Sequence, residues 1–136
     1  MKTSRNCRRI YKKICAANGI LIATPEYNYS IPGVLKNAID WASRPYGDNA
    51  FDGKCVAMMS ASIGMLGGAR AQYHLRQSFV FLNMYAVNSP EVFVTFAQQK
   101  SDKDGRLLDE VAKKLIGDLM SASITLTRTM EVNVAH

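Results

Sequence analysis

The sequence predicts a single α/β domain, residues 1–136, built on a parallel β-sheet. Two observations favour this class. Short, continuous apolar segments alternate along the chain with segments whose apolar residues recur at helical spacing, and loops rich in polar residues, glycine or proline separate them. At 136 residues, 48% of them hydrophobic, the chain also has the size and composition of one globular domain. Such an order of elements implies right-handed crossovers in a sandwich of helices and sheet.

The first half of the chain supplies two predicted helices and two predicted strands. Residues 4–17 carry apolar side chains at helical spacing, and Asn18 and Gly19 form a plausible stop. The segment GILIAT is short, continuous and rich in branched residues, which is typical of a strand buried on both faces. A second helix follows, marked by apolar residues at helical spacing: Leu35, Ala38, Ile39 and Ala42. After it come a surface loop over residues 44–53 and a buried strand over residues 54–60.

The second half continues this alternation. The small-residue loop ASIGMLGGA leads into a helix that begins near Gly68, whose inward positions are Ala71, Leu75, Phe79 and Leu82. The segments MYAVNS and EVFVTF predict a third strand that is broken near Pro90, because proline cannot donate a hydrogen bond within a sheet. A polar loop over residues 98–106 precedes a final helix that extends towards Arg128, with apolar positions at Leu107, Val111, Leu115, Leu119 and Ala122.

Cysteine, histidine and hydropathy patterns narrow the function classes. The three cysteines, Cys7, Cys15 and Cys55, show no CxxC spacing, which favours free thiols in a reducing, cytoplasmic setting. With only two histidines, no metal centre is expected. The apolar runs are too short to cross a membrane, and the first residues do not resemble a secretory signal. No membrane partner is therefore expected.

The net charge of +6 is concentrated near the N-terminus. Six basic residues lie within the first thirteen: Lys2, Arg5, Arg8, Arg9, Lys12 and Lys13. The main interpretation is a solvated helix face, and the alternatives are attraction to an anionic ligand, to nucleic acid or to lipid. Because no aromatic-rich or zinc-type nucleic-acid motif accompanies these residues, no nucleic-acid partner is expected.

Two loops follow predicted strands and should meet at one rim, since ligands of parallel α/β sheets bind beyond the carboxyl ends of the strands. The first loop, PEYNYSIP, offers a carboxylate, phenols and an amide. The second is rich in glycine, which allows a flat ligand to approach the backbone, and it leads into helix N–H groups that suit partial negative charge. For either loop alone, ordinary turn chemistry is the alternative. Neither matches a Walker-type loop or a GxGxxG fingerprint.

Residues 24–43, TPEYNYSIPGVLKNAIDWAS, closely resemble the hallmark loop of NADPH-dependent FMN reductases, and residues 60–94 resemble a second segment of that family. The resemblance implies a flavodoxin-like three-layer sandwich, FMN as cofactor and NADPH or NADH as co-substrate. A quinone, an azo compound, a metal oxyanion or free flavin would accept the electrons. No catalytic side chain is expected, because the cofactor carries the chemistry. The matching cofactor-binding positions are Pro25, Glu26, Tyr27, Asn28, Ser60, Ser62, Gly64, Gly67 and Gly68.

The resemblance also implies a homodimer or homotetramer. The helix over residues 68–82 matches a segment involved in subunit association, with Tyr73, His74 and Arg76 on it, and Glu91 stands where relatives place an acidic residue nearby. For His74 and Arg76 an ordinary half-buried helix face is the alternative interpretation.

One family feature has no counterpart in this sequence. Relatives hold the FMN phosphate with a loop of the form GSxRxxSxN after their first strand, whereas residues 3–9, TSRNCRR, lack a glycine and a preceding strand. We therefore expect an N-terminally truncated flavodoxin-like fold without the first strand-helix-strand unit. GILIAT would then be an exposed edge, and FMN would bind weakly. The alternative function is a catalytically impaired remnant that acts as an oligomerising or weak flavin-binding module.

Overall fold

The structure, a computed structural model, describes the backbone of residues 5–134 and the side chains of residues 8–132. This part of the chain contains four α-helices and four β-strands, with one short 3₁₀ helix at Ala97–Gln99. In chain order they are α1 (Arg5–Ala16), β1 (Gly19–Thr24), α2 (Gly33–Ala42), β2 (Cys55–Ala61), α3 (Ala69–Leu82), β3 (Tyr85–Ala86), β4 (Val92–Val94) and α4 (Glu110–Val134). The predicted alternation of helix and strand is confirmed.

All pairings in the sheet are parallel, and β2 lies at its centre. β1 pairs with β2 from Gly19 opposite Cys55 to Thr24 opposite Ser60. On the other side, β3 pairs with the start of β2 and β4 pairs with its end. The interrupted third strand was predicted correctly, since β3 and β4 are two short segments on either side of Pro90 that share one neighbour.

Helices cover both faces of the sheet, which gives a three-layer flavodoxin-like α/β sandwich. On one face α1, α2 and α3 pack over a core that includes Ile22, Val56 and Leu75. On the other face α4 packs over a second core that includes Ala57 and Val92. The four residues predicted to face inward from α3 are each no more than 5% exposed: Ala71, Leu75, Phe79 and Leu82. Periodicity therefore identified the buried face of α3 correctly.

One prediction about β1 and one about the last helix were wrong. β1 is not buried on both faces, because it lies at the edge of the described sheet and α4 packs mainly on β2, so Leu21 remains 40% exposed. The last helix does not include Leu107, which precedes it, and Val111 in its first turn is 69% exposed. α4 begins only at Glu110, where Asp109 accepts a hydrogen bond from the Ala112 N–H at 2.7 Å and so caps the first turn.

Several sequence predictions fall outside the described residues. These concern Lys2, the side chains of Arg5 and Cys7, and residues 3 and 4 of the segment TSRNCRR. Residues 5–9 are described and form the first part of α1, as the helical spacing predicted. Within the described residues, no helix is both long enough and apolar enough to span a membrane.

Candidate functional site

The carboxyl ends of β1, β2 and β4 meet at one rim, as the sequence predicted. Two loops form this rim: the first rim loop, residues 25–32, follows β1, and the second rim loop, residues 62–68, follows β2. Register places Thr24 beside Ser60 and Ala61 beside Val94, so the starting points of both loops are fixed by the sheet itself. The two loops are therefore neighbours although almost thirty residues of chain separate them.

The first rim loop contains a tight hairpin turn. Tyr27 and Ser30 exchange two backbone hydrogen bonds of 3.0 Å, and Asn28 and Tyr29 have positive φ values of 49° and 67°. Two central residues with positive φ define a type I′ turn, which costs a residue with a side chain about 1–2 kcal/mol relative to glycine. The turn projects the side chains of Tyr27 and Tyr29 into solvent, where they are 60% and 71% exposed.

Glu26 joins the first rim loop to the start of α3. Its carboxylate, only 9% exposed, accepts hydrogen bonds from the N–H groups of Arg70 at 3.0 Å and Ala71 at 3.3 Å. The Arg70 Nε also donates to it at 2.7 Å. An anion is favoured at a helix N-terminus, because the first N–H groups of the helix have no partner within it. The sequence predicted N–H groups open to a ligand here, but this carboxylate already occupies two of them.

Arg70 was not predicted from the sequence, although it lies between the two loops. Its guanidinium lies 3.5 Å above the centre of the Tyr29 ring, in addition to its contact with Glu26. Its hydrogen bond to Glu26 raises the pKa of Arg70 above its usual value, so the guanidinium is charged at every physiological pH. The contact between Arg70 and the Tyr29 ring holds the exposed turn against the start of α3.

A buried polar network supports the second rim loop from below. The Ser60 hydroxyl donates to the Gly67 carbonyl at 2.6 Å and accepts from Gln72 Nε2 at 2.7 Å. Gln72 Nε2 also donates to the Val92 carbonyl at 2.9 Å. Ser60 and Gln72 are almost fully buried, at 3% and 1% exposure. Ser60 therefore holds the loop in place through its side chain.

The paired glycines of this loop are required by packing within the chain. Gly67 and Gly68 have φ values of +57° and +86°, which side chains rarely allow. A Cβ on Gly67 would lie 2.8 Å from the Cβ of Phe93, and one on Gly68 would lie 2.7 Å from the Cβ of Ser60. The sequence interpretation assigned these glycines to the approach of a ligand, whereas the structure supplies a reason internal to the fold.

The outer part of the second rim loop remains open to a ligand. Ser62 Oγ accepts a hydrogen bond from the Gly64 N–H at 3.1 Å, which shapes the loop. Within the described chain, the backbone N–H groups of Ile63, Met65 and Leu66 donate no hydrogen bond. Their side chains are exposed by 74%, 73% and 48%. This part of the loop therefore offers three donors on an apolar, accessible surface.

A cavity of about 450 Å³ lies beside the rim, between the strand ends and the layer that contains α4. Its lining is mostly apolar: Ala23, Thr24, Pro25, Met59, Ser60, Ala61, Val94, Ala97, Ser101, Leu107 and Ile116. A volume of this size is typical of small-molecule sites. Among the described residues that line it, none carries a charge. The arrangement suits a flat ligand with apolar faces and a hydrogen-bonding edge.

The sequence-predicted site residues thus take three positions. Pro25 and Ser60 line the cavity, while Glu26, Gly67 and Gly68 join and pack the two loops. The remaining four lie on the open parts of the loops: Tyr27, Asn28, Ser62 and Gly64.

The α3 residues that the resemblance places near a subunit interface contact the first rim loop and the connection between β3 and β4. His74 Nδ1 lies 2.8 Å from the hydroxyl of Ser30 in the first rim loop. Tyr73 Oη and Arg76 lie 3.4 Å and 4.0 Å from Glu91, the residue that follows the break in the third strand. Arg76 also donates to Asn88 Oδ1 at 3.0 Å. α3 is therefore tied to both the rim and the β3–β4 connection.

This chain is similar to known flavin and quinone reductases. The family model described as NADPH-dependent FMN reductase matches residues 2–99. The NAD(P)H-dependent FMN reductase PA1204 of Pseudomonas aeruginosa is 54% identical over 114 residues, which is 84% of this chain and 61% of the relative. The quinone reductase of Escherichia coli K12 is 49% identical over 100 residues, 73% of this chain and 53% of the relative. The chain thus spans little more than half the length of these relatives.

A solved structure agrees with the fold. FerB, a flavoenzyme NAD(P)H:(acceptor) oxidoreductase from Paracoccus denitrificans, superposes with a TM-score of 0.79 at 34% sequence identity. The superposition covers 96% of this chain and 70% of FerB.

Proposed function

The chain belongs to the NADPH-dependent FMN reductase family, and on this premise we propose that it binds FMN at the rim and transfers electrons from NADPH or NADH to a quinone. The observation that carries the proposal is the pairing of the two rim loops by Glu26 beside the 450 Å³ apolar cavity. Quinones are the preferred acceptor because the relative in E. coli is named a quinone reductase. Azo compounds, metal oxyanions and free flavin remain further acceptors to test.

The residues at the rim fit the ring of FMN. Its isoalloxazine is flat, with apolar faces and an edge of nitrogen and oxygen atoms, and the free N–H groups of Ile63, Met65 and Leu66 are donors that suit such an edge. Tyr27 and Asn28 project from the opposite loop and supply an aromatic face and an amide. Pro25 and the strand ends supply the apolar wall. We therefore assign the ring to the space between the two loops.

The described residues of the cavity offer no charged partner for the phosphate of FMN. No described residue that lines the cavity is charged, and Arg70, which lies at the rim, is already paired with Glu26. Charge-assisted hydrogen bonds to a phosphate contribute about 1.5–3 kcal/mol each, so their loss lowers affinity steeply. We therefore propose that these residues bind FMN mainly through its ring.

The chemistry follows from this arrangement. When bound, the flavin accepts a hydride from the reduced nicotinamide and passes electrons to the acceptor. The protein's own contribution is to orient the ring with backbone donors and to cover its apolar surface. The charged side chains of the rim, Glu26 and Arg70, neutralise each other and leave the ring in an apolar setting.

We also propose that the chain forms a homodimer or a larger homo-oligomer. Three apolar side chains near the end of α3 are exposed: Val80 by 83%, Phe81 by 73% and Tyr85 by 42%. Clusters of exposed aromatic and branched residues of this kind commonly lie in subunit interfaces. Phe81→Glu should therefore shift sedimentation towards monomer, and an unchanged oligomer would exclude this patch as the interface.

A flavin titration followed by an activity assay tests the proposed function. Flavin binding is followed by visible absorbance, and NADPH oxidation is then measured with and without benzoquinone. We expect saturable FMN binding and quinone-dependent oxidation of NADPH. Binding without turnover would instead favour the impaired remnant, for which the uncharged cavity is the supporting observation. Failure to bind either FMN or riboflavin at millimolar concentration would reject a flavin site at this rim.

A further inference from the structure

A second cleft lies in the helical layer on the other face of the sheet. It has a volume of about 370 Å³ and lies between α1 and the segment that follows α2. It is lined by Arg8, Tyr11, Lys12, Trp41, Arg44, Pro45 and Asp48, none of which lines the cavity at the rim. The proposed flavin chemistry makes no use of these residues.

The lining carries an excess of positive charge. Arg8, Lys12 and Arg44 contribute three cations, whereas Asp48 is the single carboxylate among the described residues that line the cleft. Arg8 and Lys12 are four residues apart on α1, where like charges repel each other. Asp48 already accepts a hydrogen bond from the Tyr11 hydroxyl. An anion in the cleft would relieve the repulsion between the cations.

The remaining lining is aromatic and apolar. Trp41 and Tyr11 are half-buried, and Pro45 completes the apolar wall. The Arg44 guanidinium lies 4.2 Å from the centre of the Tyr46 ring, a contact that restrains this cation. The hydrogen bond to Asp48 raises the pKa of Tyr11 above its usual value, and its uncharged phenol adds no negative charge to the cleft. Flat apolar groups and cations therefore share one cleft.

We propose that this cleft binds a small aromatic molecule that carries a phosphate group, of the size of a mononucleotide. The volume lies within the range of small-molecule sites, and the lining includes the aromatic side chains of Trp41 and Tyr11, which suit contact with a base. Arginine suits phosphate because its fork of N–H groups can donate two parallel hydrogen bonds. The proposal gives Arg8 and Lys12 a role beyond that of a solvated helix face.

Tryptophan fluorescence tests the proposal directly, because Trp41 is the only tryptophan of the chain. AMP, adenosine and inorganic phosphate are titrated separately, at low and at physiological salt. We expect a saturable change with AMP and at least a tenfold weaker effect of adenosine and of phosphate. Affinity for AMP should fall as salt rises, because the cations are exposed and screened. No saturable change with AMP, or equal binding of adenosine, would overturn the proposal.

Matched variants assign the binding to this cleft. Arg44→Ala and Lys12→Ala should each weaken AMP binding about fivefold or more, since each removes a charge-assisted contact to phosphate. Lys103→Ala, which removes an exposed cation outside the cleft, should leave the affinity unchanged. Circular dichroism checks that each variant is folded. Unchanged AMP affinity in Arg44→Ala, or much stronger competition by a short oligonucleotide than by AMP, would reject the proposed ligand class.

Discussion

Gly68→Ala offers the sharpest test of how the rim is built. The added Cβ would lie 2.7 Å from the Ser60 Cβ and 2.8 Å from its hydroxyl oxygen, closer than atoms in real structures approach. Ser60 cannot move away freely, because it is 3% exposed and its hydroxyl bonds both Gly67 and Gln72. The substitution must therefore displace the loop or break this network.

The expected cost combines two effects. A φ of +86° is unfavourable for alanine by about 1 kcal/mol or more, and overpacking of a buried contact costs about 1–3 kcal/mol. We expect Gly68→Ala to lower the free energy of unfolding by about 2–4 kcal/mol. Chemical denaturation of the two proteins, followed by circular dichroism, measures this difference.

Gly64→Ala is the matched control in the same loop. Its added Cβ would meet only Ser62 Oγ, at an ordinary 3.7 Å, so the free energy of unfolding should change by less than about 1 kcal/mol. If Gly68→Ala proved as stable as Gly64→Ala, the packing of the paired glycine on Ser60 would be wrong. The glycine would then be explained better by the approach of a ligand.

Three further predictions follow from the same contacts. Glu26→Ala should lower the free energy of unfolding by about 1–2 kcal/mol, because the first turn of α3 loses its carboxylate cap. The control Asp118→Ala, which removes an exposed partner of Lys114, should change this free energy by less than about 0.5 kcal/mol. Equal effects of the two substitutions in chemical denaturation would contradict the role of Glu26. FMN and riboflavin should bind with affinities within about tenfold of each other in paired absorbance titrations, since the described residues that line the cavity carry no charge. A strong preference for FMN would reveal a phosphate site elsewhere. Leu21→Lys should reduce concentration-dependent association measured by light scattering, because a charge on an edge strand blocks pairing with another chain. Unchanged scattering would show that β1 does not pair with a second chain.

The sequence predicted best what depends on local periodicity. The buried face of α3 was identified from apolar spacing alone, and the meeting of the two rim loops follows from a general property of parallel sheets. The burial of β1 was overestimated because an apolar run does not reveal whether a helix covers both of its faces. The turn at Asn28 and Tyr29 was missed because the usual signal for a type I′ turn is Asn-Gly.

The contacts that define the site could not be read from spacing. Glu26 and Arg70 are separated by 44 positions, and nothing in either local pattern connects them. The reason for Gly68 likewise depends on Ser60, which lies across the loop on β2. The sequence therefore located the rim correctly, whereas the role of each residue there required coordinates.

Ile63, Met65 and Leu66 present their open N–H groups on a rim that is largely ordered before a ligand binds. The start of α3 is already ordered by Glu26, and the lower part of the second rim loop is already ordered by Ser60 and Gln72. The outer arc of that loop is held as well, because the Ser62 N–H donates to the Val94 carbonyl and the Phe96 N–H donates to the Gly64 carbonyl. A ligand at the rim therefore has to immobilise mainly exposed side chains. Since ordering flexible segments opposes association, most of the site is preorganised before any ligand arrives. Differences in affinity among flat ligands should then reflect how well their edges match three amide groups, and much less how far they deform the protein.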